Sequence, residues 1–266
     1  MQPKRKRLNL AWELDCDTMK KLYYILLLLT CISCDSEDAN DCFQTSGSII
    51  SQTITLDNFS KIEVGEHITL IIKEGATQEV TIETGQNLLN DVEAKVTGET
   101  LVLSDNNNCN YFRDYGITIV YITSPNITEI ISKTQFEIRS DGVVTFPNLA
   151  LISENFTNNN AASGNFNLQV QNEELRILFN NLSNLFISGS TNNFSINFPG
   201  GNSRVEAADF VAESVVVFSR GSNDIIIHPQ RELSGNIYGT GNVIAVHRPP
   251  IIDFTAHYTG SLIFEE

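Results

Sequence analysis

Few side chains in this chain are of types, and at spacings, that could do chemistry. His228 and His247 lie 19 residues apart, each at the end of an apolar run, so the two imidazoles could stack if the chain repeats at that period. Two imidazoles fall short of the donors that a zinc ion takes, and exposed edge histidines are the plainer reading. Acids of the kind that cleave glycosidic bonds are present as Glu206, Asp209, Glu213, Asp224 and Asp253. That chemistry needs two carboxylates at a defined separation. Nothing in the spacing pairs these five or adds a basic partner, so no catalytic residue, metal set or cofactor is assigned.

The cysteines are more informative. Met19-Lys20-Lys21, the apolar run from Leu22 to Leu29 and the pair Ser33-Cys34 have the form of a bacterial lipoprotein signal peptide. The start is basic, the apolar stretch is too short to span a bilayer, and a small residue directly precedes a cysteine. Cleavage before Cys34 would leave its thiol to carry diacylglycerol; cleavage before Cys31 is the rival, and Cys31 stands where the motif usually has Leu. On this reading residues 1–18 are an extension upstream of the true start at Met19, 19–33 are the signal, and 34–48 form an acidic tether. The tether resembles the acidic tag that sends lipoproteins of some two-membrane bacteria to the cell surface. In other bacteria an Asp after the cysteine holds the protein at the inner membrane. The expectation is an exported outer-membrane lipoprotein, membrane-bound through its lipid and displayed outside. Cys42 and Cys109 are then left as an even pair, which in an exported chain reads as a disulfide, with two unrelated thiols as the alternative. The bridge would close a loop of roughly 67 residues, worth about 4 kcal/mol by chain entropy.

These groups need elements to hold them. A net charge of −15 argues against a nucleic-acid partner, because phosphate neutralisation needs a basic surface. From Ser48 to about Ser132 short β-branched runs bounded by turn residues predict strands, among them Ile49–Leu56, Lys61–Val64, Ile68–Lys73, Glu79–Glu83, Leu101–Ser104 and Gly116–Thr123. Asn87–Ala94 is the one stretch that predicts a short helix.

The second half repeats. Phe179, Phe198, Phe218, Tyr238 and Tyr258 are separated by 19, 20, 20 and 20 residues, and a small polar turn follows each. A period near 20 is the mark of a stacked architecture. At the alternate positions ending on these aromatics, twelve of fifteen residues are apolar, the exceptions being Ser214, Ser234 and Asn236; the intervening positions are apolar in four of ten. Side chains alternate faces along a strand, so this phase turns the five rings inward as a structural ladder and argues against an exposed platform for sugar stacking. A second strand follows each turn, as in Leu185–Ile187, Arg204–Ala207, Asp224–His228, Val243–His247 and Leu262–Glu265. The fold expected is all-β: a right-handed β-solenoid of two-strand coils over 136–266, preceded by a strand-rich half over 49–135 with one short helix.

The order of these segments resembles a known family. Phe59-Ser60-Lys61-Ile62-Glu63-Val64, Ile68 to Gly75, Val80 to Leu89, Leu101-Val102-Leu103, Ile117 to Ile122 and Pro125 to Ile130 follow the pattern of the exported bacterial family called putative auto-transporter adhesin, head GIN domain. Its Ser-Gly-Ser-Gly-Asn/Asp-Ile repeats are matched by Arg220-Gly221-Ser222-Asn223-Asp224-Ile225 and Gly239-Thr240-Gly241-Asn242-Val243, with an echo in Ser234-Gly235-Asn236-Ile237. The resemblance covers about 49–266, and several coils here are richer in Asn and poorer in Gly than the family norm. It implies a non-catalytic envelope lipoprotein that binds glycan or protein through a β surface. A scaffolding or signalling lipoprotein, and less readily a carbohydrate-active enzyme, are the other readings.

Overall fold

The computed structural model describes residues 19–25, 42–107, 109–111, 113–154 and 162–265. Cys34, the cleavage site and most of the acidic tether lie outside these. Residues 19–25 are helical, and among the described residues no helix is long and apolar enough to cross a membrane.

The chain is almost entirely β. Its first half holds β1 (Ile49–Ile54), β2 (Lys61–Val64), β3 (Ile68–Glu74), β4 (Glu79–Gly85), β5 (Val92–Thr97), β6 (Thr100–Asp105), β7 (Thr118–Ser124), β8 (Glu129–Ser132), β9 (Ile138–Val144) and β10 (Asn148–Ser153). Four long strands follow: β11 (Phe166–Phe179), β12 (Leu185–Phe198), β13 (Val205–Ser219) and β14 (Ile225–Ile237). The chain closes with β15 (Val243–Ala245), β16 (Ile251–Ala256) and β17 (Leu262–Phe264). The predicted helix over 87–94 is reduced to one 3-10 turn, Leu89–Asp91. Val92 is claimed by the β5–β6 hairpin, where it faces Asp105, and the Asn87 side chain is held by the Thr45 carbonyl, so no room is left for a second turn.

Pairing is parallel wherever one layer lies on the next. One side of the molecule runs β6–β2–β8–β10 and on through the second halves of β11, β12, β13 and β14 to β16. The other runs β7–β3–β9 and through the first halves of the same four strands to β15 and β17. The expectation of two separate strands per coil is therefore corrected for β11–β14, each of which bends from one side to the other unbroken. Gly189 makes one such bend possible: its φ is +114°, and a Cβ there would lie 2.0 Å from the Val170 carbonyl oxygen.

The two ends differ. Toward the N-terminus each side is finished by antiparallel strands, β5 on β6, and β4 on β7 with β1 beyond it. Toward the C-terminus β16 and β17 are the last strands, and Ile251, Ile252 and Ile263 on them are exposed. Between the sides lies one apolar core containing Ile62, Leu70, Leu101, Leu151, Phe179 and Val217, each at most 1% exposed. Cys42 and Cys109 form a disulfide that ties the tether to the loop after β6.

Candidate functional site

The predicted ladder divides in two. Phe179 and Phe198 are fully buried and stacked with centroids 5.9 Å apart, and Phe166, which the spacing did not single out, stacks on Phe179 at 5.2 Å. Phe218, Tyr238 and Tyr258 do not face inward, which corrects the expectation for these three. Phe218 is half-buried, while Tyr238 and Tyr258 are 42% and 66% exposed.

A single extra residue causes the change. β12 and β13 are in register at Phe186 and Glu206, and again at Gly189 and Phe210. Between these pairs Ile187 and Ser188 oppose Ala207, Ala208 and Asp209, and both Ala208 and Asp209 look outward. Beyond such a bulge every side chain of the strand changes face relative to a simple period-20 count. Ser219, not Phe218, now lies beside buried Phe198, while Val215 and Val217 fill the core. Phe218 falls beside outward-facing Asn197. The next layer keeps the new phase, with Ile237 beside Ser219 and Asn236 beside Phe218.

The outward groups gather at one edge of that side. Arg220, Tyr238 and His257 follow one another up the stack, since their backbone N–H groups donate to Phe198, Ser219 and Ile237. Tyr238 and His257 are parallel within 1° with centroids 4.2 Å apart. His257 Nε2 donates to Asn236 Oδ1 at 2.9 Å. The Arg220 guanidinium lies 5.6 Å from the centre of the Tyr238 ring and 5.5 Å from that of Phe218, close enough for attraction to both ring faces. The neighbouring outward positions are mostly polar: Asn197, Phe218, Asn236 and Thr255 in one row, Ser195, Val216, Ser234 and Asp253 in the next. Below them, on β10–β12, a shallow groove of about 370 Å³ has Ala150, Ile152 and Leu178 in its floor and Arg176, Ser195 and Asn197 among its lining.

The remaining candidates do not converge. The rings of His228 and His247 are 6.2 Å apart, and each Nδ1 donates to a backbone carbonyl, of Ala208 and Pro229 respectively. His228 thereby satisfies the carbonyl that the bulge turns out of the ladder. Glu206 pairs with Arg204, Asp224 accepts from the Asn242 backbone and side chain, and Asp209 sits on the bulge. Glu206 and Asp253 lie on opposite sides of the molecule. Among the described residues no group of three His, Cys, Asp or Glu could hold a metal ion. A second polar cluster that sequence reading missed lies beside the disulfide. There the buried Asp105 carboxylate accepts from Thr118 Oγ1 and from the Asn107 backbone and side chain, and Arg113 donates to the Cys109 carbonyl. Its cavity, about 20 Å³, has room for little more than one water. It braces the loop from within.

Residues 58–249 match the family described as putative auto-transporter adhesin, head GIN domain. The chain belongs to that family. Among curated proteins none matches the sequence. Solved structures share the fold. A putative adhesin from Bacteroides fragilis is 18% identical with a TM-score of 0.73, covering 83% of this chain and 99% of its own. A putative lipid binding protein from Parabacteroides distasonis is 16% identical with a TM-score of 0.61, covering 83% and 98%. A putative adhesin from Parabacteroides merdae is 15% identical with a TM-score of 0.59, covering 83% and 97%. At these identities the likeness is one of fold. The bulge and the stacked Arg220–Tyr238–His257 group are read from this head GIN domain alone.

Proposed function

We propose that this head GIN domain is a non-catalytic binding module of the cell envelope, held to the outer membrane by a lipid on Cys34 and displayed outside the cell. In this reading 136–266 is a right-handed β-solenoid, and its outer face from the β10–β12 groove to Tyr258 is what a glycan meets. The observation that carries it is the bulge at Ala207–Asp209, which brings Phe218 and Tyr238 out of the core beside a row of amides and hydroxyls. Aromatic surface with a few polar groups around it suits a sugar, whose C–H face is apolar and whose hydroxyls both donate and accept. The family name supports a role in attachment.

A second reading rests on the groove floor of Ala150, Ile152 and Leu178 and on the solved relative described as a lipid binding protein, and takes a lipid as the ligand. A scaffolding or signalling lipoprotein would need no ligand on this face. The full chain, purified in detergent, would be applied to a glycan array and to phospholipid vesicles. Glycan retention that Tyr238→Ala reduces is expected. Retention on vesicles alone would favour the lipid reading, and retention on neither would leave the scaffold. Protease treatment of intact cells that removes the domain is the expected outcome for surface display, and protection would place it inside.

A further inference from the structure

We infer that Arg220 is an oxyanion-recognition site, and that the ligand of the outer face is an acidic carbohydrate presenting a carboxylate or a sulfate to it; this rests on the glycan reading above. Arg220 is set apart by the two rings beside it. Among the described residues Arg231 and Arg248 also lack a carboxylate partner, and Arg248 lies over one ring, 4.6 Å from the centre of Phe264. Lys61, Lys73, Lys133, Arg139, Arg176 and Arg204 each pair with a carboxylate. Among the described residues, no carboxylate lies within ion-pair distance of Arg220, and no acceptor takes its side-chain N–H groups. Its guanidinium is held instead by ring faces, 5.5 Å from the centre of Phe218 and 5.6 Å from that of Tyr238. A ring face orders the guanidinium plane without consuming its donors, which leave the plane edge-on as a fork matched to a planar oxyanion.

The support behind Arg220 is built in the same way. Tyr238 is backed on its far side by His257, and His257 is fixed in turn by Asn236. The side chain is therefore positioned before any ligand arrives, which lowers the entropy lost on binding. The flanking residues favour a sugar as carrier of the anion: Asn197, Ser195, Ser234 and Thr255 occupy nearby outward positions. Asp253 lies in the row beyond Ser234 and sets a limit on where the charge can sit, on the Arg220 side of the face.

The test compares the full chain in detergent with its Arg220→Gln and Arg220→Lys variants, and with Arg204→Gln as a control on the opposite side. Binding is measured to matched oligosaccharides: neutral, uronate-bearing and sulfated. A fork-type contact to an ion predicts a preference for one acidic ligand over the neutral one of about ten- to a hundredfold. Arg220→Gln should abolish that preference, Arg220→Lys should keep only part of it, and Arg204→Gln should leave it intact. Which of the uronate and sulfated ligands shows the effect identifies the source of the oxyanion. Equal binding of neutral and acidic ligands, or an acidic preference that survives Arg220→Gln, overturns the inference and leaves the glycan reading standing. Binding of none of the three overturns both. Thermal melting of Arg220→Gln within a few degrees of the parent shows that a lost preference is not lost folding; if it melts early, the graded response of Arg220→Lys decides.

Discussion

The layers before the bulge and those after it use the same residue types to opposite ends. Upstream, Phe166, Phe179 and Phe198 stack in the core. Downstream, Phe218 and Tyr238 stand outside with Arg220 and His257, and the core is filled by Val215, Val217, Leu233 and Ile237 instead. The upstream end is also closed, by antiparallel strands and by the Cys42–Cys109 bridge, whereas the downstream end stops at β16 and β17. An aromatic repeat is therefore not one structural device here. One part holds the fold together from within, and the other contributes less to stability and lies at the surface.

The sharpest way to break this comparison is to truncate one ring from each part. Phe198→Ala empties a fully buried site and should cost about 3–5 kcal/mol in chemical denaturation. Phe218→Ala removes a half-buried ring and should cost about 1 kcal/mol. Equal costs would mean that the downstream rings are part of the core after all. Next in size is the bridge. Cys42→Ser with Cys109→Ser opens a 67-residue separation and should lower stability by about 2–4 kcal/mol. Because the bridge closes the upstream end, amide exchange should accelerate in the β4–β7 region and change little in β13 and β14. Uniform acceleration would show that the two parts unfold as one unit.

A smaller loss is expected at the boundary itself. Gly189→Ala puts a Cβ 2.0 Å from the Val170 carbonyl oxygen at a φ of +114°, and should cost roughly 1–3 kcal/mol. Gly189 is itself the β12 residue opposite Phe210, where the two strands resume register after the bulge, so the strain falls on the bend that sets the downstream phase. If the variant melts with the parent, the bend is not held by close packing of β11 on β12.

Much of the scaffold is legible from residue order. β2, β3 and β4 lie where β-branched runs between turn residues put them, and the aromatic spacing finds the layers of the second half. The flip is not visible in that spacing, because the interval from Phe198 to Phe218 remains 20 while the pairing across the bulge runs one residue longer. Its trace lies in the exceptions. Ser214, Ser234 and Asn236 are polar at the supposed inward positions, while Val215, Val217 and Ile237 are apolar at the outward ones, all in the two layers of β13 and β14. Counted layer by layer, those six residues announce the opposite phase; pooled with the upstream layers, they are outvoted. Arg220 carries no such trace, since its position beside two touching rings depends on the flip and not on local sequence. The short helix fails for a different reason. Local propensity over 87–94 competes with a hairpin whose partner strand begins only at Thr100, and tertiary pairing wins.

The smallest expected effect contrasts two exposed tyrosines, one from each part. Upstream, the Tyr121 hydroxyl donates to Glu83 Oε1 at 3.4 Å; downstream, Tyr238 is packed between Arg220 and His257. Partial burial first, and the Glu83 charge and hydrogen bond second, hold the Tyr121 hydroxyl above the ordinary tyrosine value of 10.0, with Arg139 pulling the other way. Since the folded state favours the neutral phenol, its contribution to stability is complete below pH 10 and is lost as the pH rises through the folded midpoint. A difference absorbance titration of the parent against Tyr121→Phe should place this ionisation above pH 10. Glu83→Gln removes the charge but not the burial, so it should move the midpoint down without returning it to 10. A return all the way would make Glu83 the whole cause. Upstream tyrosine chemistry would then be set by a neighbouring carboxylate, and downstream tyrosine packing by a neighbouring cation.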